Sequence, residues 1–378
     1  MEETCFIRPE PEDYREWPEE DLWELFSDLA LRIGPADQAA FERCGLRWSR
    51  VAKPLGSLGA LERDIQKLAA ISGTENVRLR KKALVVFCAD NGVVEEGVTQ
   101  TGQEVTAVVT ANFTRGESCS CLMAGVAGAD VFPVDIGVAC ELGPLGDRFP
   151  LIDRKIRNGC GNFTKGPAMT RREALAAVLT GMDMARALKE AGYDIVAAGE
   201  MGIGNTTASS AVTAALLSAD PEKTTGRGAG LSSEGLCRKI DAVKRGLLLN
   251  GPDPGDGLGT IRKVGGFDLA GLCGLCLGGA AYRIPVVLDG FISAAAAAAA
   301  RALDRHVPEY LLASHVSAEP AGERLLRFLG LEPAIRAGFC LGEGSGALTL
   351  FPLLDMALEV YSRMRTFEEI QIEEYRPL

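Results

Sequence analysis

Short apolar runs that end in an acid or a small polar residue recur through the middle of the chain. Each run is too short for a buried helix and is bounded by polar or glycine-rich segments, which is typical of parallel strands covered on both faces. The predicted strands are 84–88, 131–134, 195–198, 286–288, 310–313 and 339–341. Together these runs predict a mainly parallel, six-stranded sheet.

Between the predicted strands, apolar residues recur at helical spacing. The segment 171–191 has an apolar face, a capping-box pattern at Thr170 and Glu173, and Gly192 where the helix should end. The alanine-rich segment 294–300 predicts a closely packed helix, because alanine is the best helix former. Alternating strands and helices favour a doubly wound, Rossmann-like α/β fold, whose ligands bind beyond the carboxyl ends of the strands.

The two ends of the chain differ from its middle. Residues 1–50 are charged with scattered apolar positions, and residues 347–378 contain an amphipathic helical pattern. We expect these two segments to pack together as a small helical subdomain beside a large α/β domain at 51–346. The segment 250–259 is rich in proline and glycine and predicts a long surface loop.

Composition narrows the class of protein. With 378 residues and 47% apolar content, the chain can bury a large core, whereas a net charge of -11 without a basic stripe disfavours nucleic-acid binding. Residues 1–4 and 19–21 are acidic, unlike a secretory signal. The most apolar region is broken by Asp268, Arg283 and Asp289, so it contains no uninterrupted apolar run long enough to span a membrane. We expect a cytoplasmic protein with neither nucleic-acid nor membrane partners.

Cysteine and histidine usage argues against a metal centre. The 11 cysteines lie mostly in apolar segments, where reduced core thiols are expected. Cys273 and Cys276 have CxxC spacing, but without a second pair packing is favoured over redox or zinc chemistry. His306 and His315 are the only histidines, which disfavours a histidine metal site or a catalytic triad. We therefore expect no metal and no cofactor.

The most distinctive local pattern follows the third predicted strand. That strand delivers Glu200 into a turn containing Gly202 and Gly204, and the cap-type residues Asn205 and Thr206 then precede an alanine-rich helix. Free backbone N–H groups at such a helix start attract phosphate. The pattern predicts a phosphate-binding turn; tight packing of strand against helix is the alternative explanation of the glycines.

Several short motifs occur in a specific order along residues 53–369. They are KPLGSLG at 53–59, ADNGV at 89–93, EGV at 96–98, QEVT at 103–106, GCGN at 159–162, GEMGIGNTT at 199–207, KVGGFD at 263–268, LDGF at 288–291, SHVSAE at 314–319 and LGEGSG at 341–346. In this order they resemble the nicotinate-nucleotide–dimethylbenzimidazole phosphoribosyltransferase family, which makes the lower-ligand nucleotide of cobalamin. The resemblance implies a homodimeric enzyme that moves phosphoribose from nicotinate mononucleotide to a benzimidazole-type base, giving α-ribazole 5'-phosphate and nicotinate.

The resemblance points to Glu343 as the general base. Nicotinate attached through its ring nitrogen leaves without an acid, but the incoming benzimidazole carries an N–H whose proton must go to a base. Glu343 lies between two glycines, which leave room for a flat substrate. Anchoring of a loop is the alternative role for this residue. Glu200 is the second predicted catalytic acid, for proton handling or ribose orientation, and a purely structural role stays open.

The resemblance also implies a set of substrate-binding residues near the strand ends. Those expected to contact the phosphate or the ribose are Gly202, Gly204, Asn205, Thr206, Gly228, Ser314 and Ser317. Asp289 and Gly344 complete the predicted substrate-binding set. Thr101 and Gln103 correspond to the base-pocket segment, where packing of a surface loop is the alternative.

Departures from the family pattern leave the acceptor base open. Asn91 stands where many members have histidine, so an imidazole role is excluded there, and Leu55 stands where a second proline is common. The segment 99–103 varies within the family. The accepted base is therefore dimethylbenzimidazole, another benzimidazole, adenine or a phenolic compound.

Three other classes of protein compete with this interpretation. A dinucleotide-dependent oxidoreductase needs a glycine fingerprint in its first strand-helix unit, which residues 89–92 lack. A transferase that uses phosphoribosyl pyrophosphate would usually carry an acidic pair beside a hydroxyl-rich phosphate loop, and no adjacent acids follow a predicted strand in that way. A non-catalytic nucleotide-binding protein would bind the nucleotide without releasing nicotinate.

Overall fold

One parallel sheet forms the centre of the computed structural model, which describes residues 9–375. Its six strands run in the order β3-β2-β1-β4-β5-β6. They are β1 (Lys82–Ala89), β2 (Ala129–Gly137), β3 (Ile152–Asp153), β4 (Ile195–Met201), β5 (Val286–Leu288) and β6 (Leu311–Ala313). All neighbouring strands pair in parallel, which confirms the predicted α/β fold. The acidic residues 1–4 lie outside the described residues.

Helices connect the strands and cover the sheet. The α-helices of the described chain are α1 (Glu19–Ala30), α2 (Gln38–Arg50), α3 (Ala60–Ser72), α4 (Glu104–Arg115), α5 (Cys119–Ala127), α6 (Arg171–Glu190), α7 (Asn205–Leu216), α8 (Pro221–Thr224), α9 (Ser233–Asn250), α10 (Gly257–Val264), α11 (Phe267–Tyr282), α12 (Phe291–Leu303), α13 (Gly322–Leu329) and α14 (Ser345–Arg363). Short 3-10 helices span Gly92–Glu96 and Val307–Tyr310. None of the helices between residues 9 and 375 combines the length and the apolar character of a membrane span.

The core is built around β1, every residue of which is buried. Helix α11 packs both on the sheet and on α6. Gly274 makes the second contact possible, because a Cβ atom there would lie 1.9 Å from the carbonyl oxygen of Val178 in α6. The predicted helix at 171–191 is confirmed as α6, including the capping box of Thr170 with Glu173. The alanine-rich segment is confirmed as helical, within α12.

The prediction of a strand at 339–341 is wrong. These residues belong to an irregular segment between α13 and α14, and the sixth strand of the sheet is the two-residue β3. Phe339 packs on the ring of His315, with 5.1 Å between the ring centres, whereas the Leu341 side chain is exposed. The predicted loop at 250–259 is also shorter than expected, since α10 begins at Gly257.

The two ends of the chain meet on one side of the molecule. The Trp48 ring in α2 lies 4.9 Å from the Tyr361 ring in α14, and Val51 forms a bridge with Thr366. Helix α1 packs mainly against α6. The division into a subdomain of residues 1–50 and 347–378 and a large domain of residues 51–346 stays a prediction.

Candidate active site

A cavity of about 340 Å³ lies at the carboxyl ends of the strands. Ligands bind at this edge in open α/β sheets, because the strand ends and the following loops meet there. The sequence-predicted site residues that line the cavity are Thr101, Glu200, Gly202, Gly204, Asn205, Thr206, Gly228, Asp289, Ser317 and Glu343. The fold therefore brings both predicted catalytic acids and most of the predicted binding residues to one place.

Three of the predicted binding residues lie beside the cavity wall and bond to protein groups. Ser314 is buried, and its hydroxyl lies 3.0 Å from the backbone oxygen of Asp289. The Gln103 side chain donates to the carbonyl oxygen of Asn91 at 3.4 Å. The N–H of Gly344 donates to a carboxylate oxygen of Asp289 at 3.2 Å. The predicted substrate contacts of Ser314, Gln103 and Gly344 stay predictions.

Glu343 lies in a turn of left-handed backbone at the start of α14. Its φ is 60°, and the flanking Gly342 and Gly344 have φ values of 90° and 80°. The left-handed conformation costs a non-glycine residue roughly 1–2 kcal/mol. Asp289 holds this turn, since its carboxylate accepts N–H groups from Gly344, from Gly346 at 2.6 Å and from the next residue. Burial raises the pKa of Asp289 to about 7, and these donors oppose the rise.

The Glu343 side chain is held through one of its two oxygens. Oε2 accepts the N–H of Ser120 at 3.3 Å and the Ser120 hydroxyl at 3.1 Å. Oε1 has no hydrogen-bond partner in the part of the chain that the structure describes. Because the partly exposed Glu343 lines the cavity, the free oxygen can accept a proton from a bound molecule.

Glu200 has different surroundings. It is buried, and the Asn205 side-chain amide donates both to Glu200 and to Asp268, the latter at 3.0 Å. Burial, together with the nearby Asp268 and Asp289 carboxylates, raises the pKa of Glu200 to about 8. At pH 7 this carboxyl group is mainly protonated and can donate a hydrogen bond. The Asn205 side-chain amide is occupied by the two acids, and its backbone N–H donates to the carbonyl oxygen of Gly202 at 3.1 Å, so the predicted phosphate contact of Asn205 stays a prediction.

Lys239 is a cavity residue that the sequence analysis missed. It extends from α9, is 1% exposed, and its Nζ donates to the Thr206 hydroxyl at 2.8 Å, at the start of α7. Burial lowers the pKa of Lys239 to about 8. A helix N-terminus and an ammonium group together favour an anion. The sequence did contain a signal for this residue: the other buried residues of α9 are small or apolar, and Lys239 is the one charged residue on that face.

His315 also lines the cavity without having been predicted. The ring is 3% exposed, and Nδ1 lies 3.0 Å from the Ser314 hydroxyl. Burial lowers the pKa of His315 to about 4, so the imidazole is neutral at pH 7. Its surroundings are tight, because a Cβ atom at Gly346 would lie 2.1 Å from Nδ1. His315 therefore helps to fix the first turn of α14, next to Glu343.

Comparison with known proteins first gives the class. A family model described as phosphoribosyltransferase matches residues 33–372, which is most of the chain. The cavity fits that class: one part offers a helix start and an ammonium group for a phosphate, and carboxyl groups lie in the same cavity. The protein is a phosphoribosyltransferase.

Individual relatives narrow the class further. Proteins called nicotinate-nucleotide–dimethylbenzimidazole phosphoribosyltransferase from Acetivibrio thermocellus and Ruminiclostridium cellulolyticum are 46% and 45% identical, each over 93% of this chain and 99% of the relative. The crystal structure of CobT from Thermus thermophilus matches with a TM-score of 0.83 and 40% identity, covering 89% of this chain and 100% of that one. The chain belongs to the nicotinate-nucleotide–dimethylbenzimidazole phosphoribosyltransferase family, as the sequence motifs predicted.

Proposed function

We propose that this protein transfers the phosphoribosyl group of nicotinate mononucleotide to 5,6-dimethylbenzimidazole or a related base, in the assembly of the cobalamin nucleotide loop. The products are nicotinate and α-ribazole 5'-phosphate. One observation carries the proposal: a single cavity holds both Glu343 and the start of α7, with Lys239 beside it. One carboxylate oxygen of Glu343 has no hydrogen-bond partner within residues 9–375. The names of the relatives support this pair of substrates.

The phosphate is assigned to the start of α7. Residues 202–206 line the cavity there, and the buried Lys239 supplies a positive charge at Thr206. Gly228 contributes space, since a Cβ atom there would lie 2.8 Å from the Thr206 hydroxyl oxygen. Its own N–H is already donated to Glu319 at 2.9 Å. A phosphate dianion at this place would offset both the helix dipole and the lysine charge.

Proton transfer is assigned to Glu343. The bond between C1' of the ribose and the nicotinate nitrogen breaks, and its electron pair neutralises the pyridinium ring. One nitrogen of the benzimidazole forms the new bond to C1' from the opposite face, which inverts the anomeric centre. The N–H proton of the other benzimidazole nitrogen moves to Oε1 of Glu343, and the N–H electrons stay on the ring.

Glu200 is assigned a different role in the same cavity. Its raised pKa leaves it mainly protonated at pH 7, so it is a poor proton acceptor there and a good hydrogen-bond donor. We assign its O–H to a ribose hydroxyl of the nucleotide. Asn205 supports this role by holding Glu200 against Asp268.

The test is a chromatographic assay of the purified protein with nicotinate mononucleotide and one base at a time. The panel is 5,6-dimethylbenzimidazole, benzimidazole, adenine and p-cresol, and both free nicotinate and the ribosylated base are measured. We expect nicotinate to be released only when a base is present, in an amount equal to the ribosylated base formed. The base that reacts fastest indicates the chemical class of the physiological acceptor. Nucleotide binding without nicotinate release for any base would contradict the proposal and favour a binding protein.

The partner of the chain is also a proposal. The family resemblance implies a homodimer, and we propose this assembly for the chain. The expected cytoplasmic location likewise stays a prediction.

A further inference from the structure

Ser120 is a buried residue of α5 that reaches the Glu343 carboxylate from a different element of the fold. It is 0% exposed, and its N–H and hydroxyl lie 3.3 and 3.1 Å from Oε2 of Glu343. It belongs to none of the family motifs in the sequence. Helix α5 begins at Cys119, so Ser120 is in the first turn, where the helix dipole favours a negative charge.

The directions of these hydrogen bonds are fixed by valence. An ionised carboxylate only accepts, so the Ser120 hydroxyl must donate its hydrogen to Oε2. The Ser120 oxygen can then accept from the hydroxyl of Ser118, 3.1 Å away. The Ser118 oxygen in turn accepts the N–H of Cys121 at 3.1 Å. Three residues at the start of α5 therefore orient one hydroxyl toward Glu343.

The turn around Glu343 needs such an anchor. Gly342 and Gly344 give the backbone on both sides of Glu343 the freedom of glycine, and Asp289 fixes the backbone only. Among the described residues, Ser120 provides the only hydrogen bonds to the Glu343 side chain. A general base must lie within hydrogen-bond reach of the proton that it takes, so the rotamer of this side chain matters directly.

We propose that Ser120 is a positioning residue for Glu343. By holding Oε2, it directs Oε1 into the cavity, where Oε1 receives the N–H proton of the benzimidazole while Oε2 keeps both of its donors. The inference rests on the proposed function, in which Glu343 is the general base. It adds a residue that acts through Glu343 and does not touch the substrate.

The experiment compares Ser120→Ala with the wild-type protein and repeats the comparison in a Glu343→Gln background. We expect Ser120→Ala to lower kcat about tenfold, since a hydrogen bond to a charged group is lost, and to leave the KM for nicotinate mononucleotide within about twofold. The acid limb of kcat against pH should move to higher pH, because the ionised carboxylate loses a donor. In the Glu343→Gln background, the same substitution should have no further effect on kcat.

Two more variants separate positioning from folding. Thr170→Ala removes the N-cap of α6 at a residue that does not line the cavity, and it should lower Tm without changing kcat. Ser120→Cys keeps nearly the same volume with a weaker donor, and it serves the same comparison if the alanine variant is unstable.

The possible failures are distinct. A Ser120→Ala kcat within twofold of the wild type, beside a slow Glu343→Gln variant, would overturn the positioning role alone. An equal loss of kcat from Ser120→Ala with and without Glu343 would also overturn it, because Ser120 would then act through the fold. A Glu343→Gln variant as fast as the wild type would instead remove the base from the proposed function.

Discussion

Glu343 and Glu200 line one cavity, but their surroundings differ. Glu343 is partly exposed and is held by two donors on a single oxygen. Glu200 is buried near Asp268 and Asp289, which raises its pKa to about 8. Two acids whose environments differ in this way commonly divide the roles of proton acceptor and proton donor.

Substitution of Glu200 by glutamine tests this division. Glutamine resembles the protonated acid in shape and can still accept the Asn205 amide, so we expect Glu200→Gln to keep kcat within about fivefold at pH 7. Glu200→Ala is the matched control, and it should be slower because it removes the donor and leaves space. The measurement is steady-state nicotinate release. A Glu200→Gln variant that is as slow as Glu343→Gln would show that the ionised form of Glu200 is needed.

Lys239 predicts how nucleotide binding depends on pH. Its lowered pKa of about 8 means that the ammonium charge is complete near pH 6.5 and is lost as the pH rises through that value. If this charge binds the phosphate, the Kd for nicotinate mononucleotide should rise about tenfold between pH 7 and pH 9. Calorimetric titration gives the Kd. Lys239→Met should bind weakly at both values, and a wild-type Kd without pH dependence would place the phosphate elsewhere.

Sequence reasoning found the acids of the site more readily than the cation. Glu343 and Glu200 lie in short glycine-rich motifs whose spacing has chemical meaning. Lys239 lies inside an ordinary amphipathic helix, and only the three-dimensional path of α9 brings it to Thr206. The second role of Asn205, between Glu200 and Asp268, depends on α11 packing beside β4, which local sequence does not report.

At the scale of elements, the cavity is made by loops and helix starts. Helices α7 and α14 both begin after a glycine with positive φ, Gly204 at 96° and Gly344 at 80°. Each turn brings the beginning of a helix to the carboxyl edge of the sheet. The proposed phosphate site and the proposed base are therefore built in the same way from two different parts of the chain.

Gly202 is a poor place to test the phosphate turn. A Cβ atom there would lie 2.3 Å from the carbonyl oxygen of Ala89 and 2.7 Å from an Asp268 oxygen. Replacement by valine would therefore disturb the packing of β1 against the turn, and a loss of binding would not report on phosphate contact.

Gly228 offers a cleaner test of the same subsite. It has φ of 53°, and a Cβ atom would lie 2.8 Å from the Thr206 hydroxyl oxygen and 3.3 Å from Nζ of Lys239. We expect Gly228→Ala to separate these groups and to raise the KM for nicotinate mononucleotide several-fold, with little change in kcat. Gly251→Ala is the matched control, since its φ is 48° and nothing lies within 4 Å of its Cβ position. Equal KM values for both variants would contradict the assignment.

The strands show what local pattern can and cannot predict. The runs that became β1, β2, β4, β5 and β6 are apolar because both faces of the sheet are covered. The run 339–341 is just as apolar, but Phe339 packs on the His315 ring, and all three residues line the cavity. Strand β3 has only two residues and pairs with the end of β2, so it is too short to produce a recognisable hydrophobic pattern in the sequence.

For the whole molecule, the alternation of strands and helices along the chain was the feature that the sequence predicted best. Strands alternating with helices fix a parallel sheet, and a parallel sheet fixes the edge at which ligands bind. The contacts between the chain ends depend on side-chain packing, such as Trp48 on Tyr361, and could be expected only in outline.

The proposed homodimer is the prediction that belongs to this scale. One chain has a mass of 40.1 kDa, and light scattering during gel filtration should give about twice that mass, as the family resemblance implies. The measurement should be made over a range of protein concentrations, so that dissociation is detected. A constant mass of a single chain would contradict the proposal.

Glu343 is proposed to accept a proton during phosphoribosyl transfer. The turnover of Glu343→Gln with saturating nicotinate mononucleotide and the best base tests this role. The amide keeps the shape of the side chain and removes the proton acceptor. We predict that kcat falls by about a hundredfold or more, while the Kd for the nucleotide stays close to that of the wild type. Turnover at the wild-type rate would contradict the role of Glu343 as general base.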